Sequence, residues 1–93
     1  MENRWTSVKK GETIYYVATL GDIIASAVNS SISQKYGYTL SPIQVGNGKP
    51  KNLGVEYDFF ICGKDDEETK NRIKKLKIEI DNLLLQIQGR KIR

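Results

Sequence analysis

The chain has 93 residues and a formal net charge of +4, with 39% hydrophobic and 28% charged residues, which fits one small soluble domain spanning 1–93 and argues against disorder. One cysteine, Cys62, and no histidine exclude an intrachain disulfide framework, a multi-cysteine metal site, Ser-His-Asp or Cys-His catalysis and imidazole acid–base chemistry. No apolar run approaches the roughly 18 residues of a membrane span, and residues 1–10 lack the apolar centre of a signal peptide, so the expected setting is a cytoplasm, that of a host cell included.

Residues 4–8 read as a short strand, and Lys9-Lys10-Gly11-Glu12 as a hairpin loop before the β-rich run 13–20, TIYYVATL. In that run Tyr15, Val17 and Thr19 face one way while Ile14, Tyr16, Ala18 and Leu20 face the other, so the pattern marks neither face as the wet one. Gly21 breaks the strand. Asp22 is the expected N-cap of a first helix over 22–36, with Ile24, Ala27, Val28 and Ile32 on its apolar face and Gly37 as its C-cap. Residues 38–45 read as a third strand whose alternation changes phase at Pro42, where a bulge or an edge position is expected. The stretch 46–54, GNGKPKNLG, has the composition of a mobile loop. A fourth strand over 55–62 places Val55, Tyr57, Phe59 and Ile61 on one face and Glu56, Asp58, Phe60 and Cys62 on the other, and Gly63 ends it.

A long helix over 65–88 follows, in which Ile73, Leu76, Ile80, Leu83 and Ile87 alternate spacings of three and four. Asp65, Asp66, Glu67 and Glu68 suit its positive N-terminal end, with Asp65 the candidate N-cap, and Gly89 suits its C-terminus before a basic tail over 89–93. The early part, around Ile73 and Leu76, is expected to pack on its own sheet. The later part, with Ile80, Leu83, Leu84 and Ile87, is expected to meet a second chain, so the first guess for the assembly is a homodimer. The stretches 13–22 and 55–64 echo one another, each an aromatic-rich strand with a tyrosine at its third place, closing on glycine before a helix. The expected fold is therefore α+β: two ββα units forming a mostly antiparallel four-stranded sheet with two helices on one face.

Binding is a better expectation than catalysis. From Lys64 onward there are nine basic residues against six acidic ones, an excess that attracts phosphate-bearing or acidic partners and also serves solubility. Lys9, Lys10, Lys49 and Lys51 fall on loops, and Arg72 and Lys75 on a helix flank, where point charges suffice to touch a nucleic-acid backbone. Trp5, Tyr16 and Phe60 are the aromatics best placed for base stacking on an open sheet face. The GNGKPKNLG loop departs from a phosphate-binding Walker loop, since Lys49 is followed by proline and a strand rather than a helix comes next. Ser7-Val8-Lys9-Lys10 has the spacing of a serine–lysine nucleophile but falls at a strand end. The expected function is a non-enzymatic, homo-oligomeric protein that engages a phosphate-rich partner, nucleic acid first of all, without cofactor, metal or membrane. The alternative is a small viral or mobile-element regulator or inhibitor that binds a host protein, or sequesters a charged nucleotide between subunits.

Overall fold

The structure, a computed structural model, describes residues 4–92, with side chains described through Ile87. Strand β1 (Thr6–Lys10) turns at Gly11-Glu12 into β2 (Thr13–Ala18), with Lys10 paired to Thr13. Gly11 has φ 64, a value that side chains disfavour and that a two-residue turn needs at its first central position to match the twist of its strands. The first strand lies two residues later than expected because Trp5 is drawn into the core. Trp5 is only 8% exposed and meets Phe59 edge-on with ring centroids 6.0 Å apart. Its indole N–H donates to Asp81 at 3.0 Å.

Helix α1 (Asp22–Tyr36), a 3-10 turn (Gly37–Leu40), β3 (Gln44–Asn47), β4 (Phe59–Lys64) and α2 (Glu67–Ile92) complete the order. All strand pairs are antiparallel, in the order β1-β2-β4-β3. The fold is α+β, two ββα units in sequence, with their second strands β2 and β4 side by side at the centre. The echo between 13–22 and 55–64 does not extend to register, because Tyr57 lies outside β4 and Gly63 inside it.

Both faces of the sheet are covered. On one face Ala18, Phe59 and Ile61 pack with Ala25, Val28 and Ile32 of α1 and with Ile73, Leu76, Ile80 and Leu84 of α2. Ala25 takes the buried place expected for Ala27, which is exposed, while Ile24 is only partly buried. The other face is closed by the connection 48–58 rather than by a helix: Leu53 and Tyr57, with Val55, pack on Tyr15, Val17, Cys62 and Phe60. The expected mobile loop is thus a covering layer. Its composition is glycine- and lysine-rich, but Leu53 is buried, and the Tyr57 hydroxyl donates to the Lys51 carbonyl at 2.6 Å while accepting the Lys51 N–H at 3.1 Å. The fourth strand accordingly begins at Phe59, not at residue 55. Val55 and Tyr57 join the cluster opposite to that of Phe59 and Ile61, instead of sharing their face.

The third strand is also shorter than expected. Residues 37–40 form the 3-10 turn, Pro42 follows in a turn, and only Gln44–Asn47 pair with β4. Tyr38, at 92% exposed, has no sheet to pack on. Gly46 is required beside β4, since a Cβ there would fall 2.7 Å from the Phe60 ring.

Two expected caps are replaced. Asp22 opens α1 without a capping bond. The Asp58 carboxylate, reaching back from the connection, accepts the N–H groups of Leu20 and Gly21, each at 2.8 Å, at the entry to α1. At α2 it is Asp66 that caps, accepting the Thr69 N–H at 2.8 Å, while Asp65 pairs with Lys9 at 2.9 Å and Lys70 at 3.4 Å. The helix does not stop at Gly89; its backbone continues to Ile92. A helical glycine costs about 1 kcal/mol relative to alanine, which is too little to end a helix by itself. The side chains of the basic tail lie outside the described residues.

Two predictions follow from the packing of α2. A Cβ on Gly63 would lie 2.7 Å from the Thr69 methyl and 3.5 Å from Ile43 and Ile73, all on the covered side. Gly63→Ala should therefore lower unfolding stability by about 1–3 kcal/mol, seen as an earlier urea midpoint, with an unchanged midpoint counting against this packing. The second concerns acid. Hydrogen bonds from Lys35, at 2.6 Å, and from Tyr36 hold the Glu79 carboxyl below its ordinary value of 4.5. Asp65 beside Lys9, and Asp66 beneath the Thr69 N–H, are likewise held below 3.8. Because these folded-state values lie below the unfolded ones, their stabilisation is complete above about pH 5 and is lost as pH falls through the folded values. Urea midpoints should drop from pH 5 toward pH 3, and Glu79→Gln should flatten that drop; parallel profiles would refute the assignment to Glu79.

Candidate phosphate-binding surface

Strand register places two basic groups, Lys10 and Lys64, in one row on the loop-covered face. Lys10 pairs with Thr13, and Thr13 with Lys64, so the three share one cross-strand row and point the same way. The adjacent row on that face is Val8, Tyr15, Cys62 and Gln44. Above it runs the connection, whose Asn52 carbonyl accepts a hydrogen bond from the Lys10 ammonium at 3.3 Å. Lys51 precedes Asn52 in the chain. A cleft of about 320 Å³ lies beside the row, lined by Glu12, Tyr15, Pro42, Gln44, Cys62 and Lys64 among others.

The surface carries the cations Lys10 and Lys64 and the carboxylate Glu12. The side chains of Lys51 and Lys64 form no ion pair among the described residues, and Lys10 bonds only to a carbonyl. Burial, reinforced by the neighbouring Cys62 and Tyr57, raises the Tyr15 hydroxyl above 10.0, so it stays a neutral donor. Burial also raises the Cys62 thiol above 9.0, partly offset by Lys51, and keeps it protonated at neutral pH. A protonated thiol is a weak nucleophile and a weak donor. Cys62 points instead to Gln44, with sulfur 3.8 Å from the amide oxygen. Among the described residues no group of three or more acidic or cysteine side chains is arranged to hold a metal ion. No described helix is long and apolar enough to cross a membrane.

The expected binding residues divide between several places. Lys10 reaches the carbonyl of Asn52, the residue after Lys51. Lys9 lies on the opposite face of β1, paired to Asp65, and Lys49 pairs with Glu56 at 3.3 Å. Trp5 belongs to the helix-side core. Tyr16 also faces the helices, covered by the Lys77 ammonium 4.2 Å from its ring centroid, and Phe60 is partly buried under the connection. None of the three forms an open stacking platform, because each face of the sheet already has a covering layer. Arg72 holds the 3-10 turn, donating to the carbonyls of Thr39 at 3.0 Å and Leu40 at 3.2 Å. Lys75 is exposed one turn further along α2. Lys64 was not singled out in the sequence, because only the pairing of Thr13 with Lys64 shows that it shares a row with Lys10.

The expected interface residues on α2 also divide. Ile80 and Leu84 are 0% and 3% exposed within the single chain, so they belong to its own core rather than to a surface awaiting a partner. Leu83 and Ile87 are half-buried. Among the described residues the exposed large apolar side chains of this helix are Ile78 and Leu85, at 55% and 62%, spaced seven apart on the opposite side from the core stripe. In comparisons with protein-family models, curated proteins and solved structures, nothing matches this chain.

Proposed function

We propose that the chain is a non-enzymatic, homo-oligomeric binding protein whose lysine row at the hairpin end of the sheet contacts the phosphate backbone of a nucleic acid. The observation that carries the reading is the cross-strand row that holds Lys10 and Lys64 on one face, with Lys51 next in the chain to Asn52, whose carbonyl Lys10 reaches. Their charges are not neutralised by ion pairs among the described residues. Backbone contact of this kind needs positive charge at the right spacing and no catalytic geometry. A dimer would present the row twice, and the apolar groups left for such a contact are Ile78 and Leu85, with Leu83 and Ile87 beside the core.

Three phosphate contacts by one chain imply about a 40-fold loss of affinity for duplex DNA between 50 and 200 mM salt, from a slope of about −0.9 per contact, and a dimer with both rows on one duplex would double the slope. Changing Lys10, Lys51 and Lys64 together to glutamine should abolish most of the binding, and each single change should reduce the salt slope by about one. Absence of measurable binding to mixed-sequence DNA and RNA at 50 mM salt would overturn the nucleic-acid reading and favour a protein partner. Assembly has its own measurement. Sedimentation should give a dimer mass for the unaltered chain and a monomer mass for Ile78→Glu with Leu85→Glu, the circular dichroism spectrum being unchanged. A monomeric unaltered chain would remove the oligomer from the proposal.

A further inference from the structure

We infer that the cleft between the 3-10 turn and α2 is a second binding site, which takes a small free carboxylate bearing one aromatic ring or short alkyl chain. This site is on the helix side of the molecule and does not depend on the lysine row. Its volume is about 200 Å³, and Leu40, Ile43 and Leu76 supply its apolar floor. A cavity of about 150 Å³ lined by aliphatic side chains holds one benzene, so the space suits a single ring with a short substituent.

Charge selects the substituent. Glu79 is on the wall of the cleft, but its two oxygens are already occupied, one by the Lys35 ammonium and the other by the Tyr36 hydroxyl. The remaining charged groups on the wall are Arg72 and Lys75. Arg72 uses its Nη2 group on the carbonyls of Thr39 and Leu40, which leaves N–H donors at Nη1 and Nε. The two carbonyl bonds also fix the plane of the guanidinium, so a carboxylate meets donors that are already ordered. Lys75 lies three residues beyond Arg72 on the same helix and forms no ion pair among the described residues. The cleft is open to solvent, so the bound carboxylate keeps part of its hydration and avoids the desolvation penalty of a buried ion. A neutral ligand of the same shape would gain the floor and lose the charged wall.

The probe is 3-phenylpropionate, titrated into the ¹⁵N-labelled full chain. Saturable shifts should appear at the amides of Leu40, Ile43, Arg72 and Leu76, with a dissociation constant on the order of 1 mM for a ligand of this size. The uncharged analogue 3-phenylpropanamide should bind the same protein about tenfold more weakly, since it lacks the charge-assisted hydrogen bonds. Lys75→Gln, a change at an exposed position, should weaken the carboxylate about threefold and leave the amide unaffected. Equal binding of acid and amide, shifts confined to other parts of the chain, or no saturable shift would each overturn the proposal. The comparison of the two ligands uses the unaltered protein, so it holds even if Lys75→Gln disturbs the fold.

Discussion

The two central strands, β2 and β4, carry apolar side chains on both faces, and the layering of the molecule follows from that. Ala18, Phe59 and Ile61 face one way; Tyr15, Val17 and Cys62 face the other. Leaving either set in water would forgo about 1.5–3 kcal/mol for each large side chain. The helices of the two ββα units can cover only the side to which both connections lead. The second side is closed by the chain between β3 and β4, which has the residues for it in Leu53, Val55 and Tyr57. Edge strands β1 and β3 can then be short and polar, because the central pair carries most of the burial.

Much of this was legible in the sequence, and the failures have a common cause. Period 2 over TIYYVATL and the spacings of three and four from Ile73 to Ile87 located β2 and α2, and the order of elements yielded the two ββα units. Local patterns failed where a tertiary contact decides the conformation. Tyr38 and Leu40 alternate like strand residues, yet they form a 3-10 turn held by Arg72 from a distant helix. Val55, Tyr57, Phe59 and Ile61 also alternate, yet the chain turns between Tyr57 and Phe59 so that the first pair can cover the second face. Asp22 and Asp65 precede helices as caps do, but the carboxylates that serve those ends are Asp58 and Asp66. For the surface, Lys10 and Lys51 could be picked from their loops. Lys64 could not, since its place depends on register across two strands. Trp5 and Tyr16 show the opposite error, as aromatics in a chain this small serve the core first.

Several of the 15 basic side chains are engaged in ion pairs. Lys9, Lys35, Lys49 and Lys70 each have an acidic partner, so these cations contribute little net positive field. Exposed pairs of this kind are worth about 0–1 kcal/mol and are screened by salt, so they order the surface more than they stabilise it. Lys77 has a different role, its ammonium resting on Tyr16, with burial lowering its basicity below 10.5. Among the described residues the lysines and arginine without an ion pair lie at the sheet end, at Lys10, Lys51 and Lys64, and on α2, at Arg72, Lys74, Lys75 and Lys77.

Asp58 connects the layers in a way that bears on how the chain opens. Its carboxylate holds the entry to α1, its N–H donates to the Ala18 carbonyl at 3.0 Å, and its own carbonyl accepts the Gly48 N–H at 2.7 Å. The end of β2, the start of α1 and both ends of the connection therefore meet at one residue. Lifting the connection off the sheet would remove the carboxylate at the entry to the first helix and leave the N–H groups of Leu20 and Gly21 to find water. The covering segment and the helix on the far side of the sheet are thus parts of one cooperative unit, and the loop-like stretch shares the protection of the core instead of opening by itself.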